Sequence, residues 1–259
     1  FVLYIGNNEI VGPYGPGTVF NPFSGSRWLT RARVLVTRLR LAQLLGSAMN
    51  LRPENAGSND EWEGLEMFTE RQVPADDPRL QAVRGGFRAN IEEVLGIARR
   101  AGAEAVLCTV AVNLRDCPPF SGQDAIALYS NACALSARGD ADNARRTFEA
   151  ARDFDTLRVR ADSGINGILR EIGSENRPGV RFADIERRFQ GISKDGIPGD
   201  DWFLGDVHSN FAGTSAGAPT VAEAMTGLPF LRGAPLLEMP TLSGCRDILM
   251  YTVWDELDL

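Results

Sequence analysis

The apolar run Phe1-Val2-Leu3-Tyr4-Ile5 empties directly into Gly6-Asn7-Asn8-Glu9. A short apolar run stopped by Gly-Asn-Asn reads as a buried parallel strand that ends in a tight turn. Open α/β sheets build their chemistry just beyond the carboxyl ends of such strands, so Asn7 and Asn8 stand where a site would lie. The alternative is that the two asparagines merely make the turn, because Asn tolerates left-handed backbone and caps helices. Two further segments, Ala103 to Val112 and Val180 to Ala183, read as strands of the same kind. Between the first two, Pro78 to Ala101 carries Leu80, Val83, Phe87, Ile91, Val94, Leu95 and Ala98 at helical steps. Strand alternating with helix predicts an α/β protein with a doubly wound parallel sheet flanked by helices.

From Gln123 to Thr156 the alternation gives way to a helical hairpin. Ala127 to Ala137 and Ala144, Phe148 and Ala151 flank a Gly139-Asp140 turn. The chain thus divides into residues 1–122, a hairpin insertion at 123–157, and a return at 158–259 that ends in a packed tail. Leu157 to Ile172 is predicted as one helix, with Arg158, Arg160, Asp162 and Asn166 on its polar face. Met67 to Val73 is predicted as a short helix end, and Ala216 to Met225 as a covering helix with Pro219 near its first turn. Leu29 to about Ala48 reads as a helix with Leu35, Val36, Leu39 and Ala42 on one side and Arg31, Arg33, Arg38 and Arg40 supplying charge. Its expected role is to cover the sheet with a solvated basic edge; a membrane-surface helix is the rival reading.

Composition narrows the functional classes. The 259 residues carry a net charge of −7, which disfavours nonspecific nucleic-acid binding, since phosphate contacts need a basic surface. No run approaches the roughly 18 apolar residues of a membrane span. Cys108, Cys117, Cys133 and Cys245 form no C-x-x-C pair, and one histidine cannot complete the common zinc patterns with them, so no metal or cofactor is expected. Buried free thiols are the expected state, with Cys108 in a strand and Cys133 in a helix.

That single histidine, His208, lies in Gly205-Asp206-Val207-His208-Ser209-Asn210, ahead of the small-residue segment Thr214 to Met225. Gly-Asn-Asn near one end and a carboxylate just before His near the other resemble the third and fifth blocks of the SGNH (GDSL-type) hydrolases. The likeness extends to a subgroup with a tetratricopeptide insertion, through Gly6 to Tyr14, Thr109 to Phe120, Phe148 to Ile168, and Gly196-Ile-Pro-Gly199. It implies a serine that attacks an ester carbonyl, His208 as general base, a carboxylate that orients it, and Asn8 as oxyanion donor. The family's acid stands three residues before the histidine; that slot is Gly205 here, which leaves Asp206 as the candidate and Asp200 or Asp201 as substitutes.

The family's Gly-Asp-Ser block precedes the Gly-Asn-Asn strand, and Ser24, Ser121 and Ser215 do not stand in that context. The resemblance therefore implies a fragment that is inactive without an upstream serine, acting on a carbohydrate or lipid ester once complete. One tetratricopeptide-like hairpin also leaves a second possibility, a noncatalytic module that binds a protein partner on a degenerate fold.

Overall fold

The computed structural model describes residues 1–12, 15–17, 27–41, 43, 44, 72–231, 240–252 and 255. Ser24, the loop at 52–63, the start of the Met67 to Val73 segment and Trp254 lie outside them. The fold is mixed α/β around a small parallel sheet in the order β1 (Val2–Tyr4), β2 (Ala105–Cys108), β3 (Val180–Ala183). Leu3 pairs with Leu107 and Leu107 with Phe182, which fixes the register across all three strands. Of the three predicted strands β2 is the one buried at every residue. β1 is an edge strand: Val2, Tyr4 and the flanking Phe1 and Ile5 are exposed, against the expectation of a buried strand. Its apolar run is what a strand covered on both sides needs, and among the described residues just one side has a partner.

Side chains of β2 alternate between two cores, as period two requires. Ala105 and Leu107 meet α2 (Arg79–Arg100) through Phe87, Ile91 and Leu95, and α5 (Ser163–Ser174) through Ile165, Leu169 and Ile172. Val106 and Cys108 face α6 (Ile185–Ile192) and α7 (Phe211–Thr226) through Ile185, Phe189, Val221 and Ala224. Helices therefore pack on both faces of the sheet. The predicted Pro78 to Ala101 helix is α2, and its buried residues are those named from spacing, Leu80, Phe87, Ile91, Leu95 and Ala98.

The hairpin forms as expected from α3 (Gln123–Ala137) and α4 (Ala141–Phe154), with Gly139 in the turn at φ +79°. Ala132 and Ala144 are fully buried where the helices meet, and Phe148 sits edge-on to Tyr129 at 5.3 Å between ring centres. These residues belong to the same core as α2, β2 and α5, so the hairpin's stability is that of the sheet it leans on.

Four expectations need correction. Residues 157–162 are not helical: α5 begins at Ser163, because the Asp162 side chain caps it by accepting from the Ile165 amide at 2.8 Å. α7 starts five residues before Ala216, capped by Asn210, whose carboxamide oxygen accepts from the Gly213 amide at 2.8 Å. Pro219 consequently stands inside the helix rather than in its first turn. Cys108 and Cys117 are buried, but Cys133 is exposed and Cys245 half-buried. Finally, α1 (Arg27–Thr37) does not cover the sheet, since α2 and α5 already occupy that face, and Leu35, Val36 and Leu39 point to solvent.

Deleting the hairpin's anchor tests the shared core. Phe148→Ala should lower the unfolding free energy by about 3–5 kcal/mol in urea titration, with one transition for the whole chain. A separate early transition for the hairpin would show that it is not part of the core.

Candidate functional site

Beyond Cys108 the β2 chain stays buried through Leu114, yet after the Thr109 amide, which donates to the Ala183 carbonyl at 3.2 Å, it leaves its neighbours in the sheet. Side chains take over the pairing. Asn166, itself fully buried, accepts from the Val110 amide at 2.8 Å and donates to the Val110 carbonyl at 2.8 Å. The Tyr4 hydroxyl accepts from the Ala111 amide at 3.2 Å, and the Thr109 hydroxyl donates to Asp184 at 2.8 Å. The segment thereby reaches the carboxyl edge of the sheet as far as Asn113.

Asn113 is wholly buried and uses every group it has. Its amide donates to the Asp206 carbonyl at 2.9 Å; its carboxamide donates at 2.8 Å to both Asp200 Oδ1 and the Gly205 carbonyl; its Oδ1 accepts from the Asp116 amide at 3.0 Å. Leu114 and Arg115 add amide bonds to the Pro198 carbonyl at 2.9 and 3.0 Å, and Asp116 accepts from the Asp200 amide at 2.9 Å. Arg115 pairs with Asp201 at 2.7 Å. Residues 113–116 are thus stitched to 198–206, the segment that delivers the histidine.

His208 sits on a short antiparallel hairpin, β4 (Phe203–Leu204) and β5 (His208–Ser209), with Leu204 paired to His208. Sequence reading missed this element, because two-residue strands carry no periodicity. Its turn needs a left-handed residue, and Gly205 supplies φ +67°, which gives the departure at the family's acid position a conformational reason. Phe203 is buried against Phe189, with ring centres 5.4 Å apart, and this anchors the hairpin to α6. His208 is exposed, and neither its imidazole nor the half-buried Asp206 carboxylate makes a hydrogen bond among the described residues. Asp200 and Asp201 are committed to Asn113 and Arg115, so of the three acids Asp206 is the one whose carboxylate remains available.

The two asparagines after β1 have different tasks. Asn7 Oδ1 accepts from the Ala161 amide at 2.9 Å and makes the turn. Asn8 holds left-handed backbone at φ 62°; its amide donates to the Val159 carbonyl at 2.9 Å, while its exposed carboxamide makes no hydrogen bond among the described residues. Gly6 precedes them because a Cβ there would come within 2.8 Å of Ile165 Cγ2. The stretch 157–162 links this turn to the histidine loop: Arg160, next to Val159, donates to the Asn113 carbonyl at 3.1 Å, to the Cys117 carbonyl at 2.8 Å and to Asp155 at 3.2 Å. Asn8 and the Asp206–His208 hairpin are held to one frame, although no hydrogen bond joins Asn8, Asp206 and His208 to one another among the described residues. Ser121 closes the loop before the hairpin, where its amide donates to Asp155, and Ser215 lies within α7; neither bonds to His208.

A polar cavity of about 720 Å³ opens elsewhere, between α4 and the β3–α6 junction, lined by Arg145, Glu149, Ser163, Arg170, Asp184 and Glu186 among others. None of Asn8, Asp206 or His208 faces it. Arg170 pairs with Asp184 at 2.9 Å and with Glu186 at 2.6 Å. Beneath, the buried Arg152 reaches Glu186 at 3.2 Å and Ser163 Oγ at 2.7 Å. These ion pairs join the helical hairpin to the sheet. No family model matches the chain, and neither curated proteins nor solved structures give a match.

The 113–116 clamp has a pH signature. Burial pushes the Asp116 carboxyl up, but the hydrogen bonds from Arg115 and the Asp200 amide outweigh it and hold it below the usual carboxylate range. The folded chain therefore takes up this proton less readily than the unfolded one, so the clamp stabilises above about pH 3.9 and is lost as pH falls through the folded value. Asp116→Asn should flatten the loss of stability between neutral pH and about pH 3 in urea titrations. Asn113→Ala should cost about 2–4 kcal/mol at pH 7, because it orphans Asp200, Gly205 and the Asp116 amide.

Proposed function

We propose that this chain is part of an SGNH-type ester hydrolase in which His208 is the general base, Asp206 the acid that orients it, and Asn8 the oxyanion donor. The observation that carries this reading is the pair of uncommitted groups at the sheet's carboxyl edge. The Asn8 carboxamide and the His208 imidazole are exposed, while Asn7, the buried Asn113, Asp200 and Asp201 are taken up in hydrogen bonds that hold the frame around them. Catalytic groups need such support, with their own polar atoms free for the substrate.

The nucleophile, a serine in a Gly-Asp-Ser turn, belongs to a strand pairing with the free edge of β1. The exposed apolar side chains of Phe1, Val2, Tyr4 and Ile5 support a further strand at that position. With the serine in place, His208 takes its proton as the hydroxyl attacks the ester carbonyl; Asn8 donates to the developing oxyanion; His208 then returns the proton to the departing alcohol. Water repeats the sequence on the acyl-enzyme. The α3–α4 pair is the tetratricopeptide-like insertion of this reading.

The chain as given should hydrolyse no short-chain aryl ester above background. A longer polypeptide that carries the Gly-Asp-Ser strand should be labelled by a fluorophosphonate, and Asn8→Ala in it should lower kcat by about 10²–10³ with the melting temperature nearly unchanged. Asp206→Asn should lower kcat by more than about tenfold. Turnover by the given chain that vanished in His208→Ala would overturn the assignment of the nucleophile. A longer polypeptide with no such serine would favour the interaction module instead.

A further inference from the structure

The stretch from Ile10 to Pro53 holds six arginines, Arg27, Arg31, Arg33, Arg38, Arg40 and Arg52, and no acidic residue, in a chain of net charge −7. Helix α1 lies in it. Within α1, Trp28, Leu35 and Val36 recur at the helical steps i, i+7 and i+8, one apolar stripe on one side, and Leu39 follows in the turn after its end. In a helix that covers a sheet this stripe would be buried. Here Trp28 is 74% exposed, Leu35 63% and Leu39 59%, whereas the α2 residues that do cover the sheet are at most 6% exposed.

A polar contact ties α1 to the body, the ion pair of Arg31 with Glu93 on α2. By helical spacing Arg31 lies on one flank of the stripe, and Arg38 and Arg40, both exposed, follow in the segment just after Thr37. An apolar stripe with arginines along its borders and tryptophan at one end is the arrangement that lies in a lipid interface, where the stems of the arginines snorkel and their charges meet phosphates. No helix among the described residues is long and apolar enough to cross a membrane, so the contact would be one of lying on the surface.

We propose that α1 and the turn after it dock this protein on an anionic lipid surface. Charge selects the occupant. A basic segment without a single acid is repelled by a basic partner and attracted by phosphatidylglycerol-type headgroups, and the acidic remainder of the chain is held off that surface, which orients the protein. This inference does not depend on the hydrolase reading.

Co-flotation of the purified chain with vesicles tests it. The chain should float with phosphatidylglycerol/phosphatidylcholine vesicles, stay behind with phosphatidylcholine alone, and be released by about 0.5 M salt, where screening shortens to a few ångströms. The bound fraction should fall at least about tenfold in Trp28→Glu/Leu35→Glu and in Arg38→Glu/Arg40→Glu, and should persist in Arg38→Lys/Arg40→Lys. Because these side chains are exposed, circular dichroism and melting temperature should match the parent chain in every variant. Failure to float with anionic vesicles would overturn the proposal, as would binding that the α1 variants leave unchanged. A parent chain that is dimeric in solution and becomes monomeric in Trp28→Glu/Leu35→Glu would also overturn it, by giving the stripe to a second copy.

Discussion

A strand buried on every side can leave none of its backbone groups unpaired, and the ten residues from Ala105 to Leu114 are all buried. The sheet satisfies the first four. The Thr109 amide still donates to the Ala183 carbonyl of β3, and the remainder recruits other partners: Asn166 for Val110, Tyr4 for Ala111, Asp206 for Asn113 and Pro198 for Leu114. They come from three parts of the chain: α5, the end of β1 and the 198–206 loop. By leaving the ladder, β2 draws α5, the end of β1 and the histidine loop to one edge, so the demand for backbone pairing is what assembles the site.

This demand also explains what the sequence could and could not reveal. α2, β3 and the α3–α4 hairpin were legible because their apolar residues recur at a fixed period on a face that packs. Residues 157–162 were misread as helix. Leu157, Val159 and Ala161 alternate with Arg158, Arg160 and Asp162, the period of an extended chain, but the charged side is buried too. Alternation with arginine suggests a solvated face, and nothing local announces that Arg160 will be needed by carbonyls more than 40 residues away. The caps were a better signal. Asp162 before Ser-Gly-Ile and Asn210 before Phe-Ala-Gly mark the true starts of α5 and α7. The partners of Asn113 had no local mark, because its carboxamide donates to loop atoms some 90 residues on.

The charged network between hairpin and sheet illustrates a different constraint. Burying the Arg152 guanidinium works against its charge, yet Asp153 and Glu186 hold it protonated above its ordinary range. A buried ion pair adds little net stability compared with an apolar pair of the same shape, but removing one partner is expensive. Such a network therefore acts as a register pin. It fixes how α4 meets β3 and α6 more strongly than it stabilises the contact, and it complements an apolar core in which Ala132 and Ala144 are small and Phe148 is the one large anchor.

Among the described residues two surfaces are left without a partner element, and they differ in kind. The free edge of β1 offers backbone donors and acceptors beside the apolar Phe1, Val2, Tyr4 and Ile5, and what satisfies an edge of a parallel sheet is another strand. α1 is a helix and has no strand edge to pair with; it presents an apolar stripe bordered by arginine. A strand added to β1 would pair by hydrogen bonds whatever its charge, whereas α1 discriminates by charge first. The edge is therefore suited to completing the fold and the helix to locating it, and a partner that fits one has no reason to fit the other.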